Sequence, residues 1–164
     1  MDFANLVCKA KKPICNNCEI QTICKYNDKK TISIKNTRKK VEKIGIGFFV
    51  RKDKKFLIEI SQKNLLEGLY SIPFSDFFIA KNINEKKFIK KSVSDWILLN
   101  KIKKEYKIIG EVIHKFSHFH LKLFLVDIKL DKTINFKKYE WITLKKFNLR
   151  PQSTLTRKIL KIVI

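Results

Sequence analysis

The chain has 164 residues, of which 45% are hydrophobic, enough for one domain with a real core plus a small appendage. Lys and Arg number 37 against 15 acids, a net charge of +22 that gathers phosphates and makes nucleic acid the first partner to consider. An A/T-biased genome would also inflate lysine, so charge alone selects no partner. No run of 18 apolar residues and no N-terminal charged segment followed by an apolar stretch are present, which excludes a membrane span and a secretory signal and puts the expected location in the cytoplasm.

The first segment, 1–25, holds all four cysteines, Cys8, Cys15, Cys18 and Cys24, spaced C-x6-C-x2-C-x5-C. A reducing compartment favours metal ligation over disulfides. Four thiolates in so compact a run can wrap one cubane cluster, one cysteine to each iron. Structural zinc more often takes two short pairs across a longer loop, so the uneven spacing favours a 4Fe-4S cluster, with tetrahedral zinc as the alternative.

Residues 26–43 are polar and lysine-rich without core periodicity, and read as a linker. Alternation starts at Ile44: Ile44, Ile46, Phe48 and Val50 on one strand face, Asp53 and Lys54 as a turn, then Phe56, Ile58 and Ile60. This predicts a hairpin. Asn84 is placed to cap a helix with Ile89, Val93, Trp96 and Ile97 on one stripe. Ser153 or Thr154 opens another with Leu155, Ile159, Ile162 and Val163. Between them, Tyr106 to Ile113, Phe119 to Leu130 and a shorter Tyr139 to Leu144 read as strands. The sum is an α+β sandwich over a mixed sheet, 44–164, preceded by a short helical cysteine loop.

The cysteine spacing, in its context MDFANLVCKAKKPICNNCEIQTIC, resembles the cluster loop of the endonuclease III and MutY family of DNA glycosylases. In that family the cluster is structural, and the loop after the first cysteine offers basic residues to the DNA backbone. The resemblance gives that role to Lys9, Lys11 and Lys12, whose phosphate contacts would set register without reading sequence. Two later segments extend the likeness. NLLEGLYSIPF, residues 64–74, resembles the MutY-type Gly-Leu-Trp-x-Phe-Pro turn, keeping Gly68, Leu69 and Pro73 but with Tyr70 and Ile72 in place of the aromatic pair. HKFSHFHL, residues 114–121, resembles the Phe-Ser-His loop that reaches 8-oxoguanine opposite the target adenine.

The resemblance implies that 1–25 ends a helix-hairpin-helix domain, that 26–43 links it onward, and that 44–164 is a Nudix-like domain recognising the lesion. Its expected partner is double-stranded DNA containing A:8-oxoguanine. Oxidation turns guanine N7 into an N–H donor and places a carbonyl on C8, and the Ser117 hydroxyl, both donor and acceptor, answers either change. Phe116 would supply an aromatic wedge and His118 a polar contact. On their own, these residues would read as a core phenylalanine and a loop histidine; the cysteine loop favours the recognition role.

A Nudix hydrolase would share the fold but needs a helix dense in Glu and Arg to hold magnesium. Residues 70–91 offer only Asp76 and Glu85 as acids, so hydrolase activity is not expected. The acids that perform adenine excision in the family cannot be placed here, and no catalytic residue is assigned. The sequence reads as a C-terminal fragment, with a separately encoded N-terminal catalytic half as a candidate partner. The rival functions are a basic nucleic-acid-binding module without lesion specificity and a zinc-binding adaptor.

Overall fold

The computed structural model describes residues 6–9, 12–25, 40–61, 66–102, 104–136 and 138–164. It divides into two compact units, Met1–Thr37 and Arg38–Ile164. In the first, two short 3-10 turns, Cys15–Asn17 and Gln21–Ile23, carry three of the cysteines at or beside their ends.

In the second unit the chain runs β1 (Val41–Lys52), β2 (Lys55–Ile60), β3 (Tyr70–Ser71), β4 (Phe78–Ile79), α1 (Glu85–Leu99), β5 (Lys107–Lys115), β6 (Phe119–Lys129), β7 (Glu140–Thr143), α2 (Leu144–Phe147) and α3 (Thr154–Val163). The sheet path is β3-β2-β1-β6-β5, with β4 paired to β1 and β7 to β2. β1 and β6 run parallel in register from Val41 opposite Phe119 to Arg51 opposite Lys129, while β5 and β6 form an antiparallel hairpin. The sheet is therefore mixed, as the strand pattern predicts, and the α+β class holds.

Alternation on the two central strands divides the core into two layers. Ile44, Ile46, Phe48 and Val50 of β1 and Phe124, Val126 and Ile128 of β6 meet Ile89, Val93 and Trp96 of α1. On the other side Phe49, Leu121, Leu123 and Leu125 meet Phe147 of α2 and Leu155 and Ile159 of α3. Side chains of a strand point alternately to its two faces, so one sequence can feed both layers.

Both helix starts behave as read. The Asn84 side chain accepts from the Lys87 N–H at 3.1 Å, and the Ser153 hydroxyl accepts from the Thr156 N–H at 3.0 Å, each satisfying an otherwise orphaned donor of the first turn. The β1–β2 turn falls at Asp53 and Lys54, with Asp53 at φ 51°, a left-handed conformation that Asp tolerates better than most residues. Ile162, expected on the buried stripe of the last helix, is instead 42% exposed, lying over Gly110 of β5 at the end of the sheet path. Strands β3 and β4, two residues each, and the four-residue α2 are too short to leave a period in the sequence. Among the described residues no helix is long and apolar enough to cross a membrane.

Candidate DNA-recognition site

The turn between β5 and β6 consists of Phe116, Ser117 and His118, closed by the Phe116 N–H donating to the Phe119 carbonyl at 2.9 Å. Two strands of nine and eleven residues hold it rigidly, while the turn itself exposes Ser117 and His118 at its tip. Phe116 behaves differently. Its ring lies 4.5 Å from His114 and 4.7 Å from Phe119, centroid to centroid, and packs against the core layer beneath α3. It is half-buried, so its first task is to anchor the turn; only part of the ring is open to a base.

Lysines surround this tip. Lys115 precedes it, the Lys40 ammonium donates to the Phe116 carbonyl at 3.3 Å, and Lys43 sits 4.6 Å over the Phe119 ring. By composition Lys40 and Lys43 belong to the polar linker 26–43. Their role arises from the parallel β1–β6 pairing, which sets Val41 beside Phe119 and so delivers the start of β1 to the turn. No local pattern signals this. Cations grouped around an exposed serine and histidine suit a phosphate-bearing ligand.

Below the turn, His114 has its Nδ1 buried without a hydrogen-bond partner. Burial pushes its imidazole below the ordinary 6.5, and the nearby Lys158 charge adds to the shift. A histidine held neutral in the fold binds protons more readily when unfolded. Its contribution is therefore complete above pH 6.5 and is lost progressively as pH falls below that value. We expect the urea midpoint to drop between pH of about 7 and about 5, and to drop less in His114→Gln. Identical pH profiles for the two proteins would show that the ring is not held neutral.

The Gly68 turn matches its sequence reading. Gly68 takes φ 76°, its N–H donates to the Ser61 carbonyl, and the Pro73 carbonyl accepts from the Phe48 N–H. Of the two departures from the aromatic pattern, Ile72 is fully buried against Gly47, and Tyr70 stacks under Arg150 with 4.9 Å between guanidinium and ring. The following helix, α1, carries Glu85 and Asp95 as its acids, and Glu85 is paired with Lys122 at 2.9 Å.

In the first unit the Ile14 N–H donates to the Val7 carbonyl at 2.9 Å, so the residues immediately before Cys15 and Cys8 are joined. The Cys18 N–H closes on the Cys15 carbonyl, and the Cys24 N–H on that of Gln21. Cys8 and Cys24 are exposed, Cys15 and Cys18 half-buried. Among the described residues no three metal-capable side chains are gathered around one point. The donor set is nonetheless all sulfur, borne on short turns, and suits iron better than a hard cation. Lys9 and Lys12 are exposed beside it; Lys11 lies outside the described residues.

No family model matches the chain. It is 30% identical over 144 residues to the adenine DNA glycosylase of Buchnera aphidicola subsp. Schizaphis graminum, a match covering 84% of this chain and 38% of that protein. The chain is a homologue of the adenine DNA glycosylases. It spans under two-fifths of the length of that relative.

Solved structures agree on the fold. The C-terminal domain of mouse MUTYH, taken from its complex with human PCNA, superimposes with a TM-score of 0.54 at 19% identity, covering 73% of this chain and 86% of that one. A MutT protein from Methanosarcina mazei Go1 gives 0.57 at 16% identity, covering 75% and 93%. The NUDIX domain of Shewanella oneidensis NrtR, solved with ADP ribose, gives 0.52 at 12%, covering 88% and 95%. The glycosylase homologue thus carries its turn and its lysines on a Nudix-like scaffold.

Proposed function

We propose that this chain serves base-excision repair of adenine mispaired with 8-oxoguanine, reading the oxidised base through the turn Phe116–His118. The observation that carries this reading is the exposed Ser117 and His118 on a rigid hairpin ringed by Lys40, Lys43 and Lys115, in a homologue of adenine DNA glycosylase. The lysines hold the backbone and the two side chains meet the base edge. Ser117 accepts from the N7–H that only the oxidised guanine presents, and His118 supplies a second polar contact. Phe116 fixes the height of the turn through its edge-on contact with His114 and its tilted contact with Phe119. Lys9, Lys11 and Lys12 add phosphate contacts from the cysteine loop, where Cys8, Cys15, Cys18 and Cys24 would hold a 4Fe-4S cluster that supports the loop. In this role the residues recognise the lesion and its backbone and break no bond.

Binding to matched duplexes with and without one 8-oxoguanine opposite adenine tests it. The lesion duplex should bind more tightly, and Ser117→Ala should reduce that preference about fivefold to a hundredfold, the worth of one good polar base contact. Lys40→Ala and Lys43→Ala should weaken both duplexes alike and flatten the salt dependence. Equal affinity for the two duplexes, untouched by Ser117→Ala, would leave only a basic nucleic-acid-binding module.

A further inference from the structure

At the end of the sheet that carries the Phe116–His118 turn, two large apolar residues of β4 stand in solvent: Phe78 is 47% exposed and Ile79 59%. Among the described strands β4 pairs with β1 alone, setting Phe78 opposite Ile44 and Ile79 opposite Lys43, the lysine whose ammonium lies over Phe119. Opposed residues of an antiparallel pair share a face, so Phe78 follows Ile44 to the side of the sheet covered by α1. There it meets the half-buried Phe88 edge-on, with ring centroids 5.6 Å apart. Phe88 braces the ring without covering it.

Cations follow at once in the chain. From Lys81 to Lys91 the sequence places Lys81, Lys86, Lys87, Lys90 and Lys91 against one acid, Glu85. All of these lysines are exposed, and none has a carboxylate partner among the described residues, while Glu85 is taken up by Lys122. With Ile89, Val93 and Trp96 turned to the core, Lys87, Lys91 and Ser94 form the outward stripe of α1. Lys91 stands one turn beyond Phe88, so the stripe starts beside the Phe78 ring. A lysine-rich composition does not by itself explain this cluster. Lys104, Lys122 and Lys138 are each paired with an acid, whereas Lys86 with Lys90 and Lys87 with Lys91 set like charges one turn apart, where they repel and weaken the helix. A bound polyanion relieves both pairs.

We propose that β4 and the outward face of α1 bind a single strand of DNA, an unpaired base stacking on Phe78 while its flanking phosphates lie along Lys87 and Lys91. An exposed ring serves any base, because every base has a π-face, and the bases of an intact duplex are closed to it. Clustered ammonium groups take the backbone without reading sequence. A second copy of this chain would instead bring its own excess of positive charge against them. Strand β4 lies two strand spacings, about 10 Å, across the sheet from β6, near enough for one DNA to reach both the turn and Phe78. The ligand is therefore an unpaired stretch beside the duplex that the turn engages, an inference that rests on the reading of this chain as a DNA-binding one.

Fluorescence anisotropy of the full chain on three labelled DNAs tests the surface: an undamaged blunt duplex, the same duplex with a single-stranded overhang, and the overhang strand alone. The overhang duplex should bind about five- to a hundredfold more tightly than the blunt one, the worth of one stacked base. Phe78→Ser should erase that advantage; Phe78→Trp should keep it and lose indole emission on the overhang DNA. Changing Lys87→Ala and Lys91→Ala together should lower the slope of log affinity against log salt on the single strand by about 1.4, two phosphates at roughly 0.7 each. That measurement stands independently if Phe78→Ser fails to fold. Blunt duplexes with and without 8-oxoguanine read the turn separately, so a lesion preference without an overhang advantage sinks this proposal alone. Equal affinity for blunt and overhang duplexes, or an advantage that survives both Phe78→Ser and the lysine changes, would overturn it. So would a dimer dispersed by Phe78→Ser with overhang binding intact, which would assign the face to a second copy of the chain.

Discussion

Replacing Phe48 with alanine should destabilise the larger unit by about 3–5 kcal/mol, enough to remove a large share of the stability of a domain this size. Phe48 is fully buried on β1 and stacks on Trp96 of α1 with centroids 4.3 Å apart and planes 12° apart. It is thus the main aromatic tie between the sheet and that helix, and its truncation loses both transfer energy and an offset ring contact worth about 0.5–1.5 kcal/mol. The cavity would open where the surrounding residues, Ile46, Val50 and Val93, are themselves fully buried and leave little freedom to collapse. Arg51→Ala, three residues along the same strand, is the natural comparison. Its guanidinium makes a bidentate pair with Asp127 at 2.7 and 2.8 Å, but its side chain is 46% exposed, so solvent screening holds the loss to about 1 kcal/mol. Urea unfolding of both variants reads the difference; a Phe48→Ala loss no larger than that of Arg51→Ala would mean that α1 does not dock through this ring.

Anaerobic purification should yield brown protein with roughly four irons per chain and broad absorption near 400 nm, and Cys18→Ser should abolish most of both. Cys18 sits where two turns meet: its N–H closes the first on Cys15, and its carbonyl accepts from the Gln21 N–H at the start of the second. A lost ligand there would release two turns at once. Because metal binding and local folding are one equilibrium, the variant should also lose protease protection over 1–25 while the larger unit keeps its melting transition. Colourless protein with about one zinc per chain would replace the iron cluster by a tetrahedral zinc site and favour the adaptor reading.

Several features could be read directly because their causes are local. The period-two run Ile44, Ile46, Phe48, Val50 marks one face of β1, Asn84 and Ser153 open their helices, and Gly68 lies in a turn, as the resemblance of residues 64–74 implies. The Phe116–His118 turn was visible as a motif, and its neighbours Ile113 and Phe119 already had strand composition. What escaped the sequence are relations between distant residues. The parallel pairing of β1 with β6 joins positions 78 residues apart, Val41 to Phe119, and it alone brings Lys40 and Lys43 to the Phe116–His118 turn. The contacts of the half-buried Phe116 ring with His114 and Phe119 likewise depend on how β5 pairs with β6. Lys43, Glu59, Phe74 and Phe119, from β1, β2, the segment after Pro73 and β6, also come to line one cavity. Periodicity and caps follow from dihedral geometry within a few residues of chain, so the sequence determined the elements and their buried faces; which lysines, rings and carboxylate share a site depends on strand pairing over long loops, and only the tertiary structure decided it.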